Sequence, residues 1–226
     1  MIIYNVASYK RPEGLLRAID SIFDQCDRIN VALNSYESIP PELCDKKISI
    51  FITNNDLGDA YKFIQLMNSD GYFFTIDDDI VYPADYTNRM VDAVEMYDRK
   101  SIVTMHGRKY TKFPIDSMFE RGSEVYHFVE NVHKDTEVDI GGTGVMCFHT
   151  DLMKIPLTQF PIHNMADIWV ARWAMDNDVK IICAAHPADY LKGDRGNESI
   201  YLKTKNDNKI HTAIINSILV KRLFKK

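Results

Sequence analysis

The sequence predicts an α/β protein built on a mixed central sheet with helices on both faces. Apolar runs with strand character alternate with helical stripes along the first half of the chain. Several of these runs end in polar side chains, which is typical of strands whose carboxyl ends hold a ligand. The chain has 226 residues, of which 46% are hydrophobic and 26% are charged, so it can bury a sizeable core.

Four short apolar runs in the first half are predicted as strands, at residues 1–6, 29–33, 48–52 and 72–76. A helix is expected to begin near Pro12, because proline suits the first helical turn. Two more helices are predicted at 60–67 and 86–97, followed by a strand at 102–105. Three of the first four strands end in polar residues: Ser8, the 54–56 segment and the 77–79 segment.

Strands and helices alternate less clearly in the second half of the chain. A glycine-rich turn at 141–144 precedes a helix predicted at 165–175, a strand at 179–184 and a C-terminal helix. Glycines would let the backbone approach a sugar closely, although a plain turn explains them equally well. The turn is not a phosphate-binding P-loop, because no lysine followed by serine or threonine comes after it.

Composition and charge argue against some classes of protein. The net charge of −5 argues against a protein that coats nucleic acid, which would normally be basic. The four cysteines have no metal-ligand spacing, which indicates reduced thiols in a cytoplasmic protein. No apolar run approaches the roughly 20 residues of a membrane span, and no leader signal is visible at the N-terminus.

The strongest chemical signal is the run Asp77-Asp78-Asp79 directly after an apolar strand. Three adjacent carboxylates repel each other and raise each other's pKa, and a divalent cation is the usual compensation. Oxygen ligands suit Mg²⁺ or Mn²⁺, and a metal held there can neutralise a diphosphate leaving group. The alternative is an acidic turn that caps the following helix.

The segment TIDDDIVYPADY (75–86) resembles the DxD segment of the A-type (GT-A) glycosyltransferases, and in particular the bacterial capsule enzymes of the heparosan N-acetylglucosaminyltransferase type. The similarity extends in order and spacing to NVASYKRP (5–12), INVALNSYESIPPEL (29–43), GDAYKF (58–63), MHGRKY (105–110), GGTGV (141–145) and ADIWVARWAMDNDVKIIC (166–183).

The resemblance implies a GT-A fold in which residues 1–226 form one glycosyltransferase domain. Residues 1–105 would be the nucleotide-binding half, and residues 106–226 the acceptor half with the C-terminal helix. The activity implied is transfer of a hexose or N-acetylhexosamine from a UDP-sugar to a glycan hydroxyl, with Mn²⁺ or Mg²⁺ as cofactor.

The same resemblance assigns roles to individual residues. The nucleoside, the ribose and the phosphates of the donor would be contacted by Ala7, Ser8, Tyr9, Arg11, Asn34, Asp59, Lys62, Asp77 and Asp78. Asp77 and Asp79 would bind the metal, with His186 as a third ligand. Each assignment has a simpler alternative: Tyr9 as a surface aromatic, and Asp59 as an ordinary first-turn acid of a helix.

Asp167 is the candidate catalytic residue, since relatives place an acid here that acts as general base or stabilises the reacting sugar. The alternative is a helix-capping aspartate. Many relatives have two acids at this place, whereas this chain has Ala166 before Asp167. His106 is a candidate for acceptor contact.

Two C-terminal features keep two interpretations each. The loop KGDRGNES, with Lys192, Asp194 and Arg195, either closes over the donor or is a plain loop. The basic end KRLFKK (221–226) either contacts the inner membrane face weakly or is a solvated helix end. Two other function classes stay open: a non-catalytic nucleotide-sugar-binding module, and a nucleotidyltransferase, although ASYKRPEG is a poor version of that class's N-terminal loop.

Overall fold

A large twisted sheet organises the molecule. The computed structural model describes residues 1–193 and 207–224. Its strands, numbered in chain order, are β1 (Ile2–Tyr9), β2 (Arg28–Asn34), β3 (Ile48–Thr53), β4 (Tyr72–Ile76), β5 (Ile80–Val81), β6 (Ser101–Thr104), β7 (Gly107–Lys109), β8 (Glu124–Tyr126), β9 (Thr136–Val138), β10 (Ile140–Gly141), β11 (Val145–His149), β12 (Lys180–Cys183) and β13 (Lys192–Gly193). The helices are α1 (Pro12–Ile22), α2 (Tyr86–Met96), α3 (Ala166–Asp176) and α4 (Lys209–Phe224).

Eight strands form the main sheet in the order β3-β2-β1-β4-β11-β6-β12-β9. Strands β1 to β4 run parallel, whereas β11 is antiparallel to both of its neighbours and β9 is antiparallel to β12. Two small sheets, β10-β7-β8 and β13-β5, lie outside it. The predicted mixed α/β architecture is therefore confirmed, and both predicted halves of the chain contribute strands to the main sheet.

Helices cover both faces of the sheet, as predicted. Adjacent residues of β4 point to opposite faces: Phe74 packs in the cluster that includes α1 and α2, whereas Phe73 packs in the cluster that includes α3 and α4. Both side chains are fully buried. This alternation is what a strand buried on both faces requires, and it explains why β4 is almost continuously apolar.

The predicted helix at 60–67 is wrong. Residues Gly58–Phe63 and Leu66–Asn68 form short 3₁₀ segments instead, with hydrogen bonds between residues three apart. In a 3₁₀ turn the side chains at positions i and i+3 point the same way. Asp59 and Lys62 therefore face a common direction, which places both of them toward the carboxyl end of β4.

The prediction also missed β11, the antiparallel strand in the middle of the sheet. Its apolar stretch, residues 145–148, is too short for periodicity to separate a strand from a loop. It directly follows the glycine-rich turn, so that turn delivers Gly144 beside the end of β4, where β11 starts by pairing Val145 with Ile76.

The strand order creates a crevice between β1 and β4. From β1 the chain moves outward to β2 and β3, and then returns to place β4 on the other side of β1. In open α/β sheets, ligands bind at such a switch point, outside the carboxyl ends of the strands. Lys10 and Ser35 directly follow β1 and β2 with positive φ angles of 54° and 55°, and such strained non-glycine residues cluster at functional sites.

Two further features bear on the membrane. None of the helices within residues 1–193 and 207–224 is long and apolar enough to cross a bilayer. At the end of α4, Lys221 is paired with Asp176 and Arg222 with Asp139. Half of the predicted basic end is therefore engaged within the protein, while Lys225 and Lys226 lie outside the described residues.

Candidate functional site

The aspartate triplet lies at the carboxyl end of β4, at the switch point. Its three side chains differ in environment: Asp78 is 1% exposed, Asp79 is 29% exposed and Asp77 is 41% exposed. Burial raises the pKa of Asp78 to about 6, although the Arg11 guanidinium works against this. The Oδ1 atom of Asp78 is paired with Arg11, whereas its Oδ2 atom is buried without a hydrogen-bond partner that meets the distance and angle criteria of a hydrogen bond.

Arg11 is the cation on one side of the triplet. Its two terminal nitrogens lie 2.6 Å from Asp78 Oδ1 and 3.0 Å from Asp79 Oδ2. The backbone N–H of Arg11 donates to the Tyr36 hydroxyl at 3.0 Å, and that hydroxyl also lies 2.6 Å from Ser8 Oγ. Tyr36 therefore ties the loop after β2 to the loop after β1. No motif singled it out, because its role depends on contacts between two loops.

Lys62 is the cation on the other side, and it is almost fully buried. Its side chain is 4% exposed and forms an ion pair with Asp77. Burial alone would lower the pKa of Lys62, but Asp77 and Asp59 outweigh it and hold the pKa at about 12. Lys62 thus stays charged, and the negative charge of Asp167 also raises its pKa. The contact of Lys62 with the donor, which the resemblance implied, stays a prediction, since the side chain is buried against Asp77 in this structure.

Asp59 has a structural partner where a donor contact was predicted. Its carboxylate accepts the backbone N–H of Ala166 at 3.2 and 3.3 Å, and the N–H of Asp59 donates to Asn164 Oδ1 at 3.2 Å. The N-cap residue of α3, Met165, makes no side-chain capping bond. Asp59 therefore caps α3 from a distant segment. Burial raises its pKa to about 7.

Asp167 lies in the first turn of α3 and does not cap it. Its Oδ1 atom accepts two hydrogen bonds from Thr143, at 2.7 Å from the backbone nitrogen and 2.6 Å from Oγ1. Burial raises the pKa of Asp167, while the Thr143 bonds oppose the shift. Gly144, which follows Thr143 in the chain, packs against Asp77 so closely that a Cβ on residue 144 would fall 2.0 Å from Asp77 Oδ2. Residues 143 and 144 thus bring the two carboxylates together.

Among the other residues predicted to contact the donor, Tyr9 is exposed, whereas the side chain of Asn34 is used in hydrogen bonds within the protein. Tyr9 is 48% exposed at the end of β1, with the Lys10 ammonium 5.6 Å from its ring centroid. Ala7 is partly buried within β1. Asn34 is buried, and its amide donates to Gly58 O at 3.0 Å and accepts from Thr53 Oγ1 at 2.5 Å. Asn34 therefore joins β2, β3 and the 3₁₀ segment, and it is not available to read a base.

The two histidines near the site have buried environments. His186 is 2% exposed, and its ring nitrogens face carbonyl oxygens, Nδ1 that of Ala184 at 2.7 Å and Nε2 that of His127 at 3.3 Å. It is therefore not arranged as the predicted third metal ligand. Burial, followed by His127, lowers the pKa of His106 to about 3, so its ring is neutral near Asp77.

Asp77 and Asp79 each keep one carboxylate oxygen without a hydrogen-bond or ion-pair partner among residues 1–193 and 207–224. Within the described part of the chain, no three His, Cys, Asp or Glu side chains are grouped to hold a metal ion. However, Lys62 takes only Oδ1 of Asp77 and Arg11 takes only Oδ2 of Asp79, which leaves the second oxygen of each carboxylate. Mg²⁺ usually binds through one or two carboxylates together with substrate phosphates and water, which is what this arrangement offers.

Part of the predicted closing loop also lies near the triplet. Lys192 and Gly193 form β13, which pairs with β5, the strand that directly follows Asp79. Lys192 is exposed there. Asp194 and Arg195 lie outside the described residues.

The pH dependence of stability should report the buried Asp59. Its carboxyl has a pKa of about 7 in the fold against 3.8 ordinarily, so the folded state holds an extra proton between these values. Stability is therefore lost as pH rises through that window, by about 1.4 kcal/mol per pH unit. Asp59→Asn is neutral at every pH and can still accept the Ala166 N–H. In urea unfolding at pH 5 to 8, the free energy of unfolding of the variant should increase relative to that of the wild type up to about pH 7. Equal pH slopes would contradict this.

Gly144 should be required for the position of Asp77. In Gly144→Ala the added Cβ displaces the carboxylate, so Mn²⁺ binding measured by calorimetry in the presence of UDP should weaken by about tenfold or more. Gly122→Ala is the matched control: nothing lies within 4 Å of its Cβ, and its φ of 87° makes the substitution strained. The control should lose stability and keep Mn²⁺ affinity. A control that loses as much affinity as Gly144→Ala would disprove the specific role.

No protein-family model and no curated protein sequence matches this chain. The carboxylates gathered around Lys62, and their place at the switch point of the sheet, are therefore the features on which a proposal of function can rest.

Proposed function

We propose that this protein is a metal-dependent glycosyltransferase of the GT-A type, which transfers a hexose or N-acetylhexosamine from a UDP-sugar to a glycan hydroxyl. The observation that carries the proposal is the convergence of two carboxylate groups that lie far apart in sequence. Thr143 binds Asp167, and its neighbour Gly144 packs on Asp77. Asp167, which could act on the acceptor hydroxyl, is thus held close to Asp77, which could bind a metal ion together with the diphosphate.

The position of the triplet supports a nucleotide donor. The crevice between β1 and β4 is where open α/β sheets bind nucleotides, and the exposed ring of Tyr9 lies at the end of β1 for stacking on a base. A divalent cation bound by Asp77 and Asp79 would supply positive charge to the diphosphate as the bond to the sugar breaks.

Asp167 supplies the acceptor chemistry in this proposal. One of its oxygens is held by Thr143, which fixes the orientation of the carboxylate. Its other oxygen would accept the proton of the acceptor hydroxyl as the new glycosidic bond forms. Burial raises the pKa of Asp167 and so makes it a stronger base than an exposed aspartate.

The donor and the metal should bind cooperatively. UDP affinity measured by calorimetry should increase at least about tenfold when EDTA is replaced by millimolar Mn²⁺, because the cation joins the carboxylates to the diphosphate. Asp79→Asn should remove most of this gain and keep the fold, since Asp79 is partly exposed at a strand end.

ADP and GDP serve as controls for the base, and both should bind more weakly than UDP. Equal UDP affinity in EDTA and in Mn²⁺ would refute the metal dependence. A preference for a purine nucleotide would refute the uridine assignment and leave the metal site standing.

Asp167→Asn should separate catalysis from binding. Asparagine keeps an oxygen that accepts both Thr143 bonds, so the fold and the UDP-sugar affinity should change by no more than a few-fold. Transfer should nevertheless fall by about 10²- to 10⁴-fold, because the amide cannot take a proton. Rates are measured with a panel of UDP-sugars and glycan acceptors. Unchanged transfer would remove Asp167 from the mechanism, and no transfer by the wild type would favour a binding module.

A further inference from the structure

The buried ammonium of Lys62 is the feature that the proposed reaction does not use. Its side chain is 4% exposed, so it cannot reach a diphosphate in the crevice while it remains where it is. A buried lysine normally loses its charge unless carboxylates compensate it. Here Asp77 forms the ion pair, and Asp59 and Asp167 contribute further attraction. Three carboxylates from three segments of the chain therefore share one internal cation.

The three carboxylates are not equivalent partners for Lys62. Asp59 is already bonded to the N-terminus of α3, and Asp167 is bonded to Thr143. Asp77 is the only one of the three that is also predicted to bind the metal, and Lys62 occupies its Oδ1 atom. A divalent cation that binds Asp77 therefore meets a positive charge on the same carboxylate.

We propose that Lys62 is a positioning residue that acts as an internal counter-ion, which holds Asp77 in place and competes with the divalent cation for that carboxylate. The inference rests on the proposed metal site. When the metal binds, repulsion should weaken the pair between Lys62 and Asp77, while the ammonium stays under the attraction of the carboxylate of Asp167.

The geometry of the 3₁₀ segment fits this role. Lys62 and Asp59 are three residues apart in this segment, so their side chains leave it in the same direction. Arg11 is more exposed than Lys62: its side chain is 43% exposed, and it pairs with the buried Asp78 and the partly exposed Asp79. Water screens Arg11 more strongly than Lys62, so Lys62 should have the larger effect on metal affinity.

The test is the affinity of Mn²⁺ for Lys62→Gln, measured by calorimetry with MnCl₂ in the presence and absence of UDP. Removal of the competing charge should tighten Mn²⁺ binding by about tenfold or more, and Mn²⁺ should raise the Tm of this variant more than that of the wild type. A lysine with a purely structural role would give unchanged or weaker binding on removal. Lys46→Gln is the matched control, since it removes the same charge from an exposed loop before β3, at the opposite edge of the sheet.

The outcomes separate the inference from the proposed function. If the wild type binds Mn²⁺ and Lys62→Gln binds it equally or more weakly, the inference is overturned and the metal site stands. If neither protein binds Mn²⁺ with UDP, the proposed metal dependence fails, and the inference fails with it. If Mn²⁺ affinity increased equally in Lys46→Gln, the increase would be due to the change in net charge, and the role of Lys62 would be overturned.

A second measurement uses the wild type, in case Lys62→Gln does not fold. In protein labelled with ¹⁵N at lysine, the ammonium of a buried, ion-paired lysine exchanges slowly enough to be followed by NMR. Addition of Mg²⁺ with UDP should shift or broaden this one signal as its partner changes. A protected signal that is unaffected at saturating Mg²⁺ would show that Lys62 keeps its pair with Asp77 and would overturn the competition.

Discussion

An excess of negative charge at the carboxyl edge of the sheet is the constraint on which the site depends. Five carboxylates, those of Asp59, Asp77, Asp78, Asp79 and Asp167, are brought near two cations, Arg11 and Lys62. Burial is the main cause of the raised pKa values of Asp59 and Asp78, and repulsion between neighbouring carboxylates adds to it. The fold holds this arrangement together with hydrogen bonds and ion pairs from other segments, although Asp78 and Asp79 share one partner, Arg11.

Those hydrogen bonds also explain why the surrounding backbone is irregular. Asp59 can cap α3 only because the GDAYKF segment is a 3₁₀ turn and Asn164, at a φ of 55°, supports it. Thr143 can hold Asp167 only because Gly144 lets the chain pass directly over Asp77. Close backbone approach thus occurs where the charges meet, and the apolar clusters on the two sheet faces provide the stability that keeps these segments in place.

Arg11 and Lys62 divide the neutralisation of the triplet in different ways. Arg11 is partly exposed to water, and its backbone N–H is held by the Tyr36 hydroxyl. Lys62 is buried, and its charge acts on three carboxylates at once. The two cations therefore differ in how strongly water screens their charge.

The sequence by itself determined the elements with clear periodicity and the location of the aspartate triplet. Strands such as β4 and helices such as α2 follow from apolar patterns that are local, and Asp77 to Asp79 stand out because adjacent carboxylates after a strand are costly. The tertiary structure decided everything that depends on partners distant in sequence. It inserted β11 beside β4, turned Asp59 and Asn34 into structural groups, engaged the ring of His186 with carbonyls, and buried Lys62 against Asp77. Local patterns cannot predict these outcomes, because the hydrogen-bond partner of a polar side chain is set by which segments the sheet brings together.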